Sequence, residues 1–109
     1  MKQNFSAFSA LSPFSMTSDK EALTLDDVRS AIDAADEILL RAIATRMKAV
    51  AHLKAIKDAK GLPVKDPVRE RIVKSQWKEK AIALGIKPEL ALLILDFLLE
   101  DSKRIQRAS

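Results

Sequence analysis

The chain has 109 residues and a formal net charge of +4, with 48% hydrophobic and 31% charged residues. This length allows one domain, and the composition is that of a globular protein. Cysteine is absent, and there are only one histidine and two glycines. Disulfides, cysteine nucleophiles, multi-histidine metal sites and glycine-rich phosphate loops are therefore excluded, and we expect no metal centre. The basic residues form no run, and no stretch of 18 apolar residues exists. We therefore expect neither a nucleic-acid nor a membrane partner.

Residues 1–21 differ in composition from the rest of the chain. They contain five serines and three of the four phenylalanines, without a helical period. We interpret this segment as a disordered Ser/Phe-rich tail and residues 22–109 as the folded domain.

One long helix is predicted first. Thr24 and Asp27 have the spacing of a capping box and precede a run with helical periodicity. Neither proline nor glycine interrupts this run before Gly61, and Pro63 follows, so the helix ends near Lys60.

Two shorter helices complete the predicted fold. The second begins at Asp66 and Pro67, a favoured N-cap followed by a favoured first residue, and Gly85 ends it. The third begins at Pro88 and runs to about Arg107. The fold class is therefore all-α, with three helices per chain.

The length of the first helix predicts a partner. Residues 25–59 span roughly 52 Å as a helix, whereas a compact monomer of this size has a radius of gyration of about 13 Å. Apolar residues recur along the helix at alternating spacings of four and three: Val28, Ile32, Ala35, Leu39, Ala42, Ala49, Leu53 and Ile56. The shorter helices would leave much of this seam exposed in a monomer. We therefore expect an intertwined, antiparallel homodimer.

Two cations interrupt the seam. Arg46 and Lys57 are eleven residues apart, which places them about 20° apart around the helix and roughly 16 Å apart along it. Their side chains can bracket a small anion. Alternatively, both can extend out of the seam to solvent or pair with acids.

Further polar residues mark the other two helices. Ser102 and Gln106 share a face of the third helix, which is either a buried polar site or a solvated helix end. Asp66 is explained as an N-cap, and Glu70 suits the helix dipole. Arg69 has no such structural explanation, because a cation near a helix N-terminus is slightly unfavourable.

A last arginine completes the set only in a dimer. Arg29 lies about 25 Å from Arg46 along the same helix, so it cannot share a pocket with Arg46 of its own chain. In an antiparallel dimer it can reach the partner's site. The combined cations and neutral donors suit a small dicarboxylate.

This polar set resembles that of the all-helical bacterial chorismate mutases, the chorismate mutase type II family, over about residues 25–107. Arg29, Arg46 and Lys57 match the arginines and the lysine of the family's first helix. The segment Pro63–Arg71 is similar to the family's loop and second-helix start, and Leu99–Gln106 resembles its third-helix signature.

The resemblance implies a cytoplasmic enzyme that rearranges chorismate to prephenate without a cofactor. Arg46 and Arg29 of the partner subunit would bind the two carboxylates, while Lys57 and Gln106 would donate to the ether oxygen. Gln106 is a neutral amide and donates at any pH, unlike a glutamate. Further substrate contacts are implied for Asp66, Arg69, Glu70 and Ser102.

Other functions remain open. Isochorismate-pyruvate lyases share this fold and its cations, but Asp66 and Glu70 favour the mutase, because the lyase subfamily lacks this acidic pair. A mutase acting on 4-amino-4-deoxychorismate is a second alternative, and a non-catalytic helical binding module is a more distant one. Family members are sometimes activated by a partner enzyme, which the resemblance leaves open here.

Overall fold

The structure is a computed structural model that describes residues 22–108. It contains three helices, α1 (Leu25–Lys60), α2 (Pro67–Ala83) and α3 (Pro88–Arg107), and no strand in this range. The prediction of an all-α fold with one long and two shorter helices is confirmed. Within the same range no helix is long and apolar enough to cross a membrane. The predicted disordered tail, residues 1–21, lies outside the described residues, and the intertwined homodimer stays a prediction.

The N-terminus of α1 is held by the predicted capping box. The Thr24 backbone N–H donates to Oδ2 of Asp27 over 3.0 Å, and the Asp27 backbone N–H donates to Oγ1 of Thr24 over 3.0 Å. Each side chain thus satisfies a backbone donor that the helix itself leaves without a partner.

A glycine in the left-handed region follows the end of each of α1 and α2. Gly61 has φ of 68° and Gly85 has φ of 74°. After α1, the backbone N–H of Leu62 donates to the Lys57 carbonyl oxygen over 2.9 Å; after α2, that of Ile86 donates to the Ala81 carbonyl oxygen over 2.8 Å. These bonds have the Schellman pattern, in which glycine reverses the chain without a Cβ clash.

The start of α2 also follows its local sequence. Oδ1 of Asp66 accepts a hydrogen bond from the Arg69 backbone N–H over 3.1 Å, and Pro67 is the first helical residue. Proline costs nothing there because a first-turn N–H has no helical partner. This hydrogen bond holds the Asp66 carboxylate at the N-terminus of α2.

Contacts between Cα atoms divide the chain into two units, the first ending at Ala44 and the second beginning at Thr45. The described part of the first unit contains the N-terminal portion of α1, where Arg41 Nε and Glu37 Oε2 form an ion pair of 2.6 Å one helical turn apart. The second unit contains the rest of α1 together with α2 and α3.

The second unit has a small apolar core in which α2 packs against α3. Leu95 of α3 is fully buried, and Ala81 of α2 and Ala91 of α3 are also buried. Val50 of α1 is also buried. Small side chains at two of these positions allow helices to approach closely.

Many large apolar side chains remain exposed in the single chain. On α1 they include Leu39 and Ile56, which belong to the predicted seam and are 54% and 51% exposed. On α3, Leu93 is 56% and Phe97 is 72% exposed. So much exposed apolar surface is unusual for a monomer and typical of a chain that has a partner.

Candidate active site

A cavity of about 450 Å³ lies in the second unit, among the C-terminal part of α1, the loop after it, α2 and α3. Seven of the eight predicted site residues line it: Arg46, Lys57, Asp66, Arg69, Glu70, Ser102 and Gln106. Its apolar wall is formed by Val50, Leu53, Val64, Val73 and Leu99. A volume of this size and a mixed lining are typical of small-molecule sites.

Arg46 reaches from α1 to α3. Its Nη1 donates to Oγ of Ser102 and, over 3.4 Å, to the Leu98 carbonyl oxygen. Both partners are neutral, so these hydrogen bonds orient the guanidinium without neutralising its charge. The anion-binding interpretation is therefore favoured over pairing with acids.

The surroundings of Arg46 favour an incoming anion. Burial lowers the pKa of Arg46, the nearby charge of Arg69 lowers it further, and Asp101 opposes this change. The group still stays charged, because arginine ordinarily titrates far above neutral pH. A bound carboxylate would relieve both the desolvation and the repulsion between the two arginines.

Lys57 is turned toward the loop after α1. Its Nζ donates to the Val64 carbonyl oxygen over 2.9 Å, and the side chain is half-buried. An ammonium has three N–H donors, so this bond leaves two for a ligand. The loop carbonyl thus holds a cation at the cavity wall.

Ser102 and Gln106 are buried, which excludes the solvated helix end as an interpretation. Their exposed fractions are 8% and 7%. The Ser102 hydroxyl donates to the Leu98 carbonyl oxygen over 2.8 Å, and Nε2 of Gln106 donates to the Ser102 carbonyl oxygen over 3.2 Å. The second N–H of that amide remains available to a ligand.

One atom of Gln106 has no hydrogen-bond partner within the described chain. Its Oε1 is buried and accepts nothing. An unpaired buried acceptor costs about 1–3 kcal/mol. An amide in this state, in the wall of a cavity, is typical of a group whose partner is a ligand.

A further cavity residue, Lys103, was missed by the sequence analysis. Its Nζ lies 3.4 Å from Oε2 of Glu70 on α2 and 2.8 Å from Oε2 of Glu100 on its own helix. Hydrogen bonding to Glu100 is the main cause that raises the pKa of Lys103, and the same bond lowers the pKa of Glu100. Periodicity could have found it, since Leu99, Lys103 and Gln106 share one helix face.

The lining is cationic overall. It carries four cations (Arg46, Lys57, Arg69 and Lys103) against two carboxylates (Asp66 and Glu70). Over residues 22–108, no three His, Asp or Glu side chains are grouped so that they could hold a metal ion. The arrangement can bind a small dianion that has an apolar body and one further polar substituent.

The eighth predicted residue, Arg29, lies in the first unit. Its side chain is exposed on α1. Its contribution to a partner's cavity stays a prediction.

Comparisons with known proteins identify relatives of this chain. The chain is 33% identical over 78 residues to a T-protein of Enterobacter agglomerans, covering 72% of this chain and 21% of that protein. It is 26% identical over 83 residues to a chorismate mutase of Methanocaldococcus jannaschii, covering 76% of this chain and 84% of that protein. The chain thus spans about a fifth of the first relative and most of the second. No solved structure matches the chain significantly. The sequence profile of chorismate mutase type II matches residues 28–107, and the chain therefore belongs to that family.

Proposed function

We propose that this protein is a chorismate mutase that converts chorismate to prephenate. The observation that carries the proposal is the convergence of Arg46, Lys57, Arg69 and Gln106 on one cavity of about 450 Å³. Chorismate has two carboxylates, a ring hydroxyl and an ether bridge. The lining offers complementary groups for one carboxylate, the hydroxyl and the ether oxygen, and Arg29 of the partner subunit is proposed for the second carboxylate. Membership of the family supports the same reaction.

The carboxylates are bound by the arginines. Arg46 has a fixed orientation through Ser102 and has no acid as a hydrogen-bond partner, so it binds one carboxylate through its planar fork of donors. Arg29 of the partner subunit binds the other. Holding both carboxylates selects the compact conformer in which the reacting carbon atoms are close.

The rearrangement is concerted and stays within one molecule. The ether C–O bond breaks while a C–C bond forms, and negative charge develops on the ether oxygen. Lys57 and Gln106 donate to that oxygen and stabilise the developing charge. No proton is transferred and no covalent intermediate forms, so the lining needs neither a nucleophile nor a base.

The two carboxylates of the lining, Asp66 and Glu70, bind the ring hydroxyl. Carboxylates of the substrate are repelled by Asp66 and Glu70, whereas a hydroxyl can donate to either acid. Both chorismate and isochorismate carry a ring hydroxyl and would suit the same cations. The acidic pair supports the mutase because the isochorismate-pyruvate lyase subfamily, which this fold also resembles, lacks it.

The functional unit in this proposal is an intertwined homodimer. The exposed apolar residues of α1 and α3, including Leu39 and Phe97, support a second copy as the partner. An antiparallel arrangement of two α1 helices would bring Arg29 of one chain to the cavity of the other. A cytoplasmic location is part of the same proposal.

A spectrophotometric assay with chorismate and isochorismate side by side tests the function. We expect chorismate to be consumed and prephenate to appear without added metal or cofactor. Pyruvate release from isochorismate, with no prephenate from chorismate, would instead establish the lyase. Turnover of neither compound would favour a binding module.

A further inference from the structure

We propose that Lys103 is a specificity-determining residue, which makes the two carboxylates of the cavity lining, Asp66 and Glu70, accept a neutral hydroxyl in preference to a cationic amine on the substrate ring. This inference rests on the proposed function, because it assumes that a cyclohexadienyl dicarboxylate occupies the cavity. It concerns the choice between chorismate and its analogue 4-amino-4-deoxychorismate.

The geometry joins Lys103 to Glu70 across two helices. The Lys103 side chain is 15% exposed and that of Glu70 is 24% exposed, and Nζ lies 3.4 Å from Oε2 of Glu70. On the other side, Glu100 holds the same ammonium at 2.8 Å. Glu100 is 69% exposed and does not line the cavity. Lys103 is therefore anchored from outside and brings its charge to Glu70 at the cavity wall.

The proposed function places the ring substituent at the carboxylates of the lining. Of the charged residues that line the cavity, only Asp66 and Glu70 are acidic. The two carboxylates of a substrate are drawn to the cations and repelled by these acids. The remaining polar group of the ring is the hydroxyl in chorismate and an ammonium in the amino analogue. That group is therefore the one that meets this acidic pair, of which Glu70 is the member joined to Lys103.

The charge of Lys103 affects the two substituents differently. A hydroxyl is neutral, so it donates to the Glu70 carboxylate with little penalty from a neighbouring cation. An ammonium on the ring would place a second positive charge beside a carboxylate that Lys103 already compensates. Like charges at such a distance repel, and the partly buried setting weakens solvent screening.

The chain contains a matched control for this ion pair. Lys74 on α2 and Asp96 on α3 also pair across the two helices, with Nζ and Oδ1 3.9 Å apart. Neither residue lines the cavity. Lys74→Met therefore removes the same net charge and an ion pair between the same helices without changing the lining.

The test measures the ratio of kcat/KM for the amino analogue to that for chorismate. We expect Lys103→Met to raise this ratio about three- to tenfold, the effect of one charge at several ångströms under partial screening. Lys103→Arg and Lys74→Met should both keep the wild-type ratio. Because each ratio is taken within one variant, a general loss of folded protein cancels. An unchanged ratio in Lys103→Met, or an equal rise in Lys74→Met, would overturn the proposal.

Equilibrium binding separates this proposal from the proposed function. In a Lys57→Ala background, which we expect to be nearly inactive, the dissociation constants of both compounds can be measured by calorimetric titration. Adding Lys103→Met to this background should strengthen binding of the amino compound relative to chorismate by about the same factor. Absence of turnover by the wild-type protein would refute the mutase activity, whereas an unchanged binding ratio would refute the role of Lys103.

Discussion

Arg46 on α1 and Ser102 on α3 are joined by a hydrogen bond from the guanidinium Nη1 to the hydroxyl Oγ, although they are 56 positions apart in the sequence. The serine in turn donates to the Leu98 carbonyl oxygen. The serine hydroxyl therefore fixes the orientation of a cation that has no acid among its hydrogen-bond partners.

Ser102→Ala should lower kcat/KM about tenfold, because the charged Arg46 loses its hydroxyl partner and keeps only the Leu98 carbonyl oxygen. Steady-state kinetics with chorismate measure the effect. Ser102→Thr retains the hydroxyl and serves as the control, with its folding checked by circular dichroism. Wild-type kcat/KM in Ser102→Ala would contradict a positioning role.

Lys57→Ala and Gln106→Ala should each lower kcat by roughly 10²–10³-fold, the usual effect of removing one donor to a developing negative charge. Lys54→Ala is the matched control, since Lys54 is one turn away and pairs with Asp58 outside the cavity lining. Sedimentation analysis should find the same assembly in all three variants. Near-normal turnover in either cavity variant would refute its role at the ether oxygen.

Mixing Arg29→Ala with Lys57→Ala protein should restore activity that neither variant has alone. If each site takes Arg29 from one chain and Lys57 from the other, a hybrid dimer contains one intact site. Random exchange makes half of the dimers hybrid, so about a quarter of the wild-type activity should return. Subunit exchange must be verified separately with labelled chains. Exchange without recovery would show that the site is not shared.

Asp66 has a structural and a proposed binding role that substitutions can separate. Asp66→Ala should lower the free energy of unfolding by about 1 kcal/mol through loss of the N-cap, whereas Asp66→Ser should retain most of it. Both remove the carboxylate, so both should raise KM for chorismate. Denaturant unfolding at one fixed protein concentration measures the stability. Equal destabilisation by serine and alanine would contradict the capping role.

The capping box at the start of α1 predicts a pH dependence of stability. Hydrogen bonding from Thr24 lowers the pKa of the Asp27 carboxyl in the folded protein. A lowered pKa stabilises the fold above the ordinary aspartate value of about 3.9, and this stabilisation is lost as the pH falls through the lowered value. The difference in Tm between wild type and Asp27→Asn should therefore be present at neutral pH and narrow in acid. A difference that is constant with pH would exclude this charge effect.

The sequence by itself determined the helix boundaries and identified most of the polar residues that line the cavity. Thr24 with Asp27, Asp66 with Pro67, and the glycines at 61 and 85 act through hydrogen bonds and backbone angles within a few residues, so their effects can be read locally. The shared face of Arg46 and Lys57 follows from helical periodicity alone. Helical periodicity did not decide whether Ser102 and Gln106 are buried or solvated, because both interpretations fit the same spacing.

Tertiary structure decided the partners of these side chains. The hydrogen bond from Arg46 to Ser102 and the ion pair between Lys103 and Glu70 join residues on different helices, so they depend on how α3 packs against α1 and α2. The carbonyl partner of Lys57 depends on the path of the loop after α1. Periodicity fixes which face of a helix a residue occupies. Which residue it meets depends on side-chain packing between helices, and single-helix spacing carries no information about that packing.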